Sequence, residues 1–246
     1  MRDTSITSNY PREAFYGLRH LLPGATALAA IAGYVNSVVL GFFHVPVSHM
    51  TGAVSRLGLD LAAKEHGDIW TGTTIILGYL VGSTLAGLLV GAKHLTPSRR
   101  FGVALFLEGV LLGAATWLLI EGRQMGLPAA ALACGLQNAM GSSYCGLQIR
   151  TTHITGMVTD IGTMIGHWIR HRWVDRRKFI FFCMMFLGFG FGGYAGAWAD
   201  GRYGPLALIL PSIACTLSGL AYGIFVHLNS EELLPDMPGR DRRHLS

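Results

Sequence analysis

The sequence predicts an all-α polytopic membrane protein, with six transmembrane helices arranged as two inverted three-helix repeats. Each repeat carries a re-entrant half-helix after an H-x-T-G motif. Three observations predict this. First, 51% of the 246 residues are hydrophobic and only 13% are charged, about half the charged fraction of a soluble domain. Second, the apolar residues fall into blocks of about 20, the length that crosses a bilayer as helix, separated by short basic connectors. Third, a ten-residue pattern, H-x-T-G-x-V-[ST]-x-[LI]-G, occurs twice, at His49 to Gly58 and at His153 to Gly162. An asparagine inside an apolar block precedes each copy, Asn36 and Asn138. The expected organisation is a tail over 1–22, a first repeat over 23–122, a second over 123–228 and a tail over 229–246.

Taken in order, the polar N-terminal stretch with Arg2, Arg12 and Arg19 leads into a first span at about 23–43. Its apolar run is too long for a signal-peptide core, and no clear cleavage region follows it. The first motif comes next, then a short apolar stretch over 52–63 ending in Lys64-Glu65-His66-Gly67-Asp68. Spans follow at about 70–92 and 101–120, with the basic connector 93–100 between them. The second half repeats the order: a span at about 127–147, the second motif with a short helix over 155–169, the basic connector 170–178, and spans at about 179–199 and 205–228. The two post-motif stretches are too short to cross the hydrocarbon, so they read as half-helices that enter and return. Gly82-x-x-x-Ala86 and Gly192-x-x-x-Gly196 extend the duplication as faces for close helix contact.

Charge placement fixes the count. With six spans, both tails and both basic connectors share one side, which holds 14 of the 19 Lys and Arg; the other side holds Lys64, Arg123 and Arg202. Eight spans would separate the two connectors, so the positive-inside rule selects six, with both termini cytoplasmic. Three spans per repeat is an odd number, so the copies insert upside-down relative to one another, and the substrate site of such a fold lies near the midplane. The net charge of +5 has no basic-aromatic run to serve nucleic acid. Cys134, Cys145, Cys183 and Cys215 lie in apolar blocks without C-x-x-C spacing and read as small buried hydrophobes.

The chemistry-bearing residues cluster at the motifs. Thr51-Gly52 and Thr155-Gly156 stand where each half-helix begins; capping accounts for them, and so does an inward-pointing pair of helix N-termini that would hold an anion or a carbonyl oxygen. Arg56 and Asp160 occupy the same motif position, so they form either a pair across the repeat interface or separate local pairs, Arg56 with Asp60 and Asp160 with Arg150. Glu108 is the single acid of the third span, a proton relay, a counter-ion or a buried structural charge. His49, His153 and the nearby His44 suit proton coupling or substrate hydrogen bonding better than a metal, for which no ligand spacing exists. Thr155, Thr159, Thr163 and His167 make a polar helix stripe, and Asn36, Gln137, Asn138 and Gln148 are amides within or beside apolar spans.

Gly33-Tyr34-Val35-Asn36, Met50-Thr51-Gly52, Gly135-Leu136-Gln137-Asn138-Ala139 and Arg150-Thr151-Thr152-His153-Ile154-Thr155-Gly156 resemble the YoaK-like family of bacterial inner-membrane proteins, a domain of unknown function. The likeness covers roughly 23–228 and departs at Ala53, where the family often has Asn, and at His49 and His153. It implies six membrane helices and a transport role, and names no substrate.

The expected function is therefore a small-solute secondary transporter or channel of the bacterial inner membrane, with an anionic or proton-coupled substrate and no cofactor. Its expected site is Asn36, His49, Thr51, Gly52, Arg56, Asn138, Arg150, Thr152, His153, Thr155, Gly156 and Asp160, with Glu108 carrying the proton. Membrane lipid and a small molecule or ion are the expected partners, nucleic acid is not, and self-association is compatible with the pattern. Two other classes stand beside it: a metal-dependent intramembrane enzyme built on His49, His153, Glu108 and Asp160, and a non-catalytic membrane partner protein.

Overall fold

The computed structural model describes residues 18–90, 99–142 and 150–229. Arg2, Arg12, residues 93–98 of the first basic connector, Cys145, Gln148 and the charged stretch after 229 lie outside the described residues. Every regular element among the described residues is helical: α1 (Leu18–Phe43), α2 (Met50–Ala63), α3 (His66–Val90), α4 (Arg99–Ile120), α5 (Gly126–Ser142), α6 (Ile154–His171), α7 (Arg176–Tyr203), a 3-10 turn (Gly204–Leu208) and α8 (Ile209–Leu228).

Local chemistry sets the helix ends. Asp175 caps α7 by accepting hydrogen bonds from the backbone N–H groups of Arg177 and Lys178 at 3.1 and 3.3 Å, which neutralises donors the helix cannot use itself. Helices α2 and α6 stop where Lys64 and Arg172 turn into left-handed backbone, with φ of 60° and 54°. Gly204, φ 55°, breaks the chain after α7.

Four stretches are long and apolar enough to cross a membrane: Leu22–Phe43, His66–Val90, Arg99–Ile120 and the 53 residues Arg176–Leu228. A straight helix of that last length would measure about 80 Å, against a hydrocarbon core of about 30 Å. Gly204 and the 3-10 turn fold it back instead, as α7 and α8.

Helix directions follow from close backbone contacts at glycines. Gly188, Gly192 and Gly196 of α7 meet Thr26, Ala30 and Tyr34 of α1 in rising order, so α1 and α7 run parallel. Gly78 and Gly82 of α3 meet Pro128 and Leu132 of α5, also parallel. Gly102 and Gly109 of α4 meet Gly219 and Ser212 of α8 in falling order, and Arg99 reaches His227, so that pair is antiparallel. These three pairs carry the most extensive packing, and each joins one half of the chain to the other.

The start of α1 lies beside the start of α4, the end of α5 and the second half of α8. Arg99, Arg100 and the cluster from Arg170 to Lys178 collect at this end, here called the basic end. The opposite end carries Asp60, Glu65, Asp68 and Glu121 with Arg56, Lys64 and Arg123. The core between the ends is built on Val35, Val38, Val39, Val47, Leu112 and Leu208. Tyr34 donates its hydroxyl to the Ala207 carbonyl at 3.2 Å, tying the 3-10 turn to α1. The outer surface is apolar, with Leu88 75%, Leu228 75% and Phe191 71% exposed. Water does not favour such a surface, and lipid does.

Candidate functional site: a cleft beside a buried glutamate

A cleft of about 360 Å³ opens among the first half of α1, the start of α4, the end of α5 and the second half of α8. Its walls are mostly small or apolar: Gly24, Ala25, Leu28, Ile31, Phe101, Leu105 and Met140. The polar groups are Thr151, Cys215, Ser218 and Tyr222, and among the described residues no acidic or basic side chain lines it. Thr151 is fully buried and its Oγ1 has no protein partner. A site of this size and polarity accepts a small organic molecule with few polar atoms.

Glu108 stands behind this wall. It is 2% exposed, the Cys215 side chain stands beside its carboxyl group, and its Oε2 has no partner among the described residues. No ion pair involves it among the described residues, so the counter-ion and structural salt-bridge readings of Glu108 give way to an isolated acid. Leaving a buried polar oxygen unsatisfied costs about 1–3 kcal/mol, which makes Glu108 a candidate functional group.

The two motif copies build matching turns. Ser48 Oγ donates to Asn36 Oδ1 at 2.8 Å, and the Thr152 backbone N–H donates to Asn138 Oδ1 at 3.2 Å. Asn36 lies seven residues before the end of α1, about 10 Å inside it at 1.5 Å per residue. The chain has thus doubled back into the protein before α2 begins. Ser48, Thr151 and Thr152 are buried there. The imidazoles of His49 and His153 then fold over Gly52 and Gly156, where any Cβ would strike the ring. That contact explains why glycine follows three residues after each histidine. The hydroxyls of Tyr79 and Thr152 also meet, at 3.4 Å.

The expected single site between the two Thr-Gly starts does not form. Helix α2 packs on α3, α6 packs on α7, and α2 does not touch α6. The reason is direction: α1 and α5 run oppositely, so the helices that follow them belong to opposite ends. Thr51, His49, Arg56, Arg150, His153, Thr155 and Asp160 are all exposed. Arg56 makes the local pairing, 3.2 Å to Asp60 and 3.6 Å to Asp68. The Asp60 carboxylate, hydrogen-bonded to it, holds the guanidinium more firmly protonated than usual. Thr159 donates to the Thr155 carbonyl within its own helix, so that stripe lines no path. His49, His153, Glu108 and Asp160, the set a metal enzyme would need, are not brought together. Gln137 is spent structurally, donating to the Leu28 carbonyl at 2.8 Å.

The cleft residues Thr151, Cys215, Ser218 and Tyr222 escaped the reading of the sequence. A signal existed: Cys215, Ser218 and Tyr222 recur at i, i+3 and i+7 on one face of the last span.

A family model described as protein of unknown function (DUF1275) matches residues 24–221. The chain belongs to that family. The match spans α1 to most of α8, and so takes in both motif copies, Glu108 and the cleft except Tyr222. No curated protein and no solved structure matches the chain.

Proposed function

We propose that this DUF1275 protein is a six-span bacterial inner-membrane protein that transports a small, largely apolar solute through the cleft, with Glu108 as the proton carrier. Its two halves are inverted copies, 23–122 and 123–228, each with a short helix after its H-x-T-G motif. Both termini and the basic end face the cytoplasm, in accord with the positive-inside rule. It is a transporter and not an enzyme, and it needs no cofactor.

The exchange of helix partners supports the inverted duplication. If residues of α1 correspond to those of α5 through Asn36 and Asn138, then Ala30 corresponds to Leu132. Gly192 meets Ala30, and Gly82, its counterpart, meets Leu132. Gly33 meets Phe189 and Gly135 meets Tyr79, again as counterparts.

One observation carries the transport reading: the cleft is one-sided. The counterparts of its residues Ala25, Leu28 and Ile31 are Leu127, Ala130 and Ala133, all buried in the core. The counterpart of Thr151 is Val47, also fully buried. A pseudo-symmetric fold open at one end and sealed at the equivalent place on the other suits alternation between two such states. Among the described residues the walls carry no charge, which argues against the anionic substrate expected from the motifs. It favours a neutral or amine-bearing molecule, the latter exchanging with the proton on Glu108.

Single cysteines in a cysteine-free background test this. Ser218→Cys should react with a membrane-impermeant maleimide from the cytoplasmic face, and Ala130→Cys should be protected from that face. In proteoliposomes carrying a pH dye, neutral and amine-bearing aromatic solutes should drive proton movement that Glu108→Gln abolishes. Equal labelling of both cysteines, or proton movement unaffected by Glu108→Gln, refutes the reading.

A further inference from the structure

Helix α6 and the turn after it have a feature that the transport reading leaves unused. Among the described residues the helix packs chiefly on α7. Ile154 and Met157 bury against Phe181, Phe182 and Met185. Beyond that anchor an apolar flank stays uncovered: Val158 51%, Ile165 43%, Trp168 51% and Ile169 63% exposed, then Trp173 69%. Thr155, Thr159, Thr163 and Arg170 occupy the other face. A helix with one apolar flank, one polar face and tryptophan near its end is suited to lie in the membrane interface.

The charge beside it is one-sided. Arg170, Arg172, Arg176, Arg177 and Lys178 fall within nine residues, against the single acid Asp175. Asp175 is occupied in capping α7. Arg170, Arg172 and Arg176 are exposed, and none of the three makes an ion pair among the described residues. The matching helix α2 is built differently: Arg56 is paired with Asp60 and Asp68, and Glu65 offsets Lys64. The basic platform therefore belongs to one copy only, at the end that the positive-inside count assigns to the cytoplasm.

We propose that α6 and the turn from Arg170 to Lys178 form a docking surface for anionic phospholipid headgroups of the adjoining leaflet. The apolar flank sits among the acyl chains, and Arg170, Arg172 and Arg176 hold lipid phosphates. Arginine suits this task because its planar fork binds phosphate oxygens in pairs. A cluster of basic residues directly flanking a spanning helix attracts anionic lipid by about fivefold in affinity per charge.

The test uses the full-length protein in detergent, titrated with equal phosphatidylglycerol and phosphatidylcholine and read by native mass spectrometry. The wild-type chain should retain phosphatidylglycerol preferentially. Arg170→Gln, Arg172→Gln and Arg176→Gln together should reduce that preference by at least tenfold, and the same three positions as Lys should keep part of it. A control removing three charges at the opposite end, Lys64→Gln, Arg123→Gln and Arg202→Gln, should keep it entire. No preference in the wild type overturns the proposal, as does an equal loss in both triple variants. Elution on size exclusion identifies any variant that misfolds, and the lysine triple then decides: it must retain more phosphatidylglycerol than phosphatidylcholine.

Discussion

Replacing Gly192 or Gly82 by alanine should destabilise the protein through the helix backbones themselves. A Cβ on Gly192 would stand 2.6 Å from the Ala30 carbonyl carbon and 2.8 Å from its Cα. On Gly82 it would stand 2.8 Å from the Leu132 carbonyl carbon and 2.9 Å from the Leu136 nitrogen. Ordinary contact begins at 3.4 Å, and the obstructing atoms are backbone, so no side-chain rotation relieves them. The Ala30 and Leu132 carbonyl oxygens stand closer still, so the helices must part by about 1–1.5 Å, an overpacking that costs at least about 1–3 kcal/mol. For a chain of this size each kcal/mol moves the melting temperature by about 2–4 °C, so a fall of about 2–12 °C is expected for each variant. The two sites share no contacting residue, so the double variant should show the sum. Gly87→Ala and Gly190→Ala, which meet nothing within 4 Å, should stay within about 0.5 kcal/mol of the wild type. The assay is thermal unfolding of purified protein in detergent, followed by tryptophan fluorescence and by loss of the monodisperse elution peak. If the control pair falls as far as Gly192→Ala and Gly82→Ala, the argument from close backbone approach is wrong.

Gly156→Ala should lower stability because its methyl group displaces the His153 ring, and adding His153→Ala should recover most of the loss; a double variant no better than Gly156→Ala would disprove the packing of ring on glycine. Thr155→Val and Asp160→Asn should leave solute-driven proton movement unchanged, since both side chains point away from the cleft, whereas Thr151→Val should alter its concentration dependence. Loss of movement in Asp160→Asn with an intact fold would return the site to the motif helices.

The helices were legible because long apolar runs and basic connectors are one-dimensional signals. Helices cover the described part of every expected span, four stretches being long and apolar enough to cross a membrane, and both short helices appear within a few residues of their expected bounds. The motif also signalled a real construction, since Asn36 and Asn138 hold equivalent turns. What the sequence did not reveal was which way the motif side chains turn. Arg56 had an acid four residues on, and the local pair formed in preference to a distant one with Asp160. Thr155 and Asp160 lie on the face of α6 away from the bundle, and the helix period alone does not say which of two faces a neighbour covers. Glu108 was recognisable as a lone acid in an apolar run. Its companion Cys215 comes from α8, and that proximity depends on the antiparallel crossing of α4 and α8.

Among the described residues, the close backbone packing of α1 is with α7, α5, α8 and the 3-10 turn, all of the other half. During synthesis the first helix must therefore wait for its chief neighbour until the fifth long helix has been made. The first half, expressed by itself, would leave glycine-lined grooves empty, so it should be degraded unless the second half is supplied beside it. Two separately encoded halves should instead rebuild the whole protein, because the contacts that matter already lie between them.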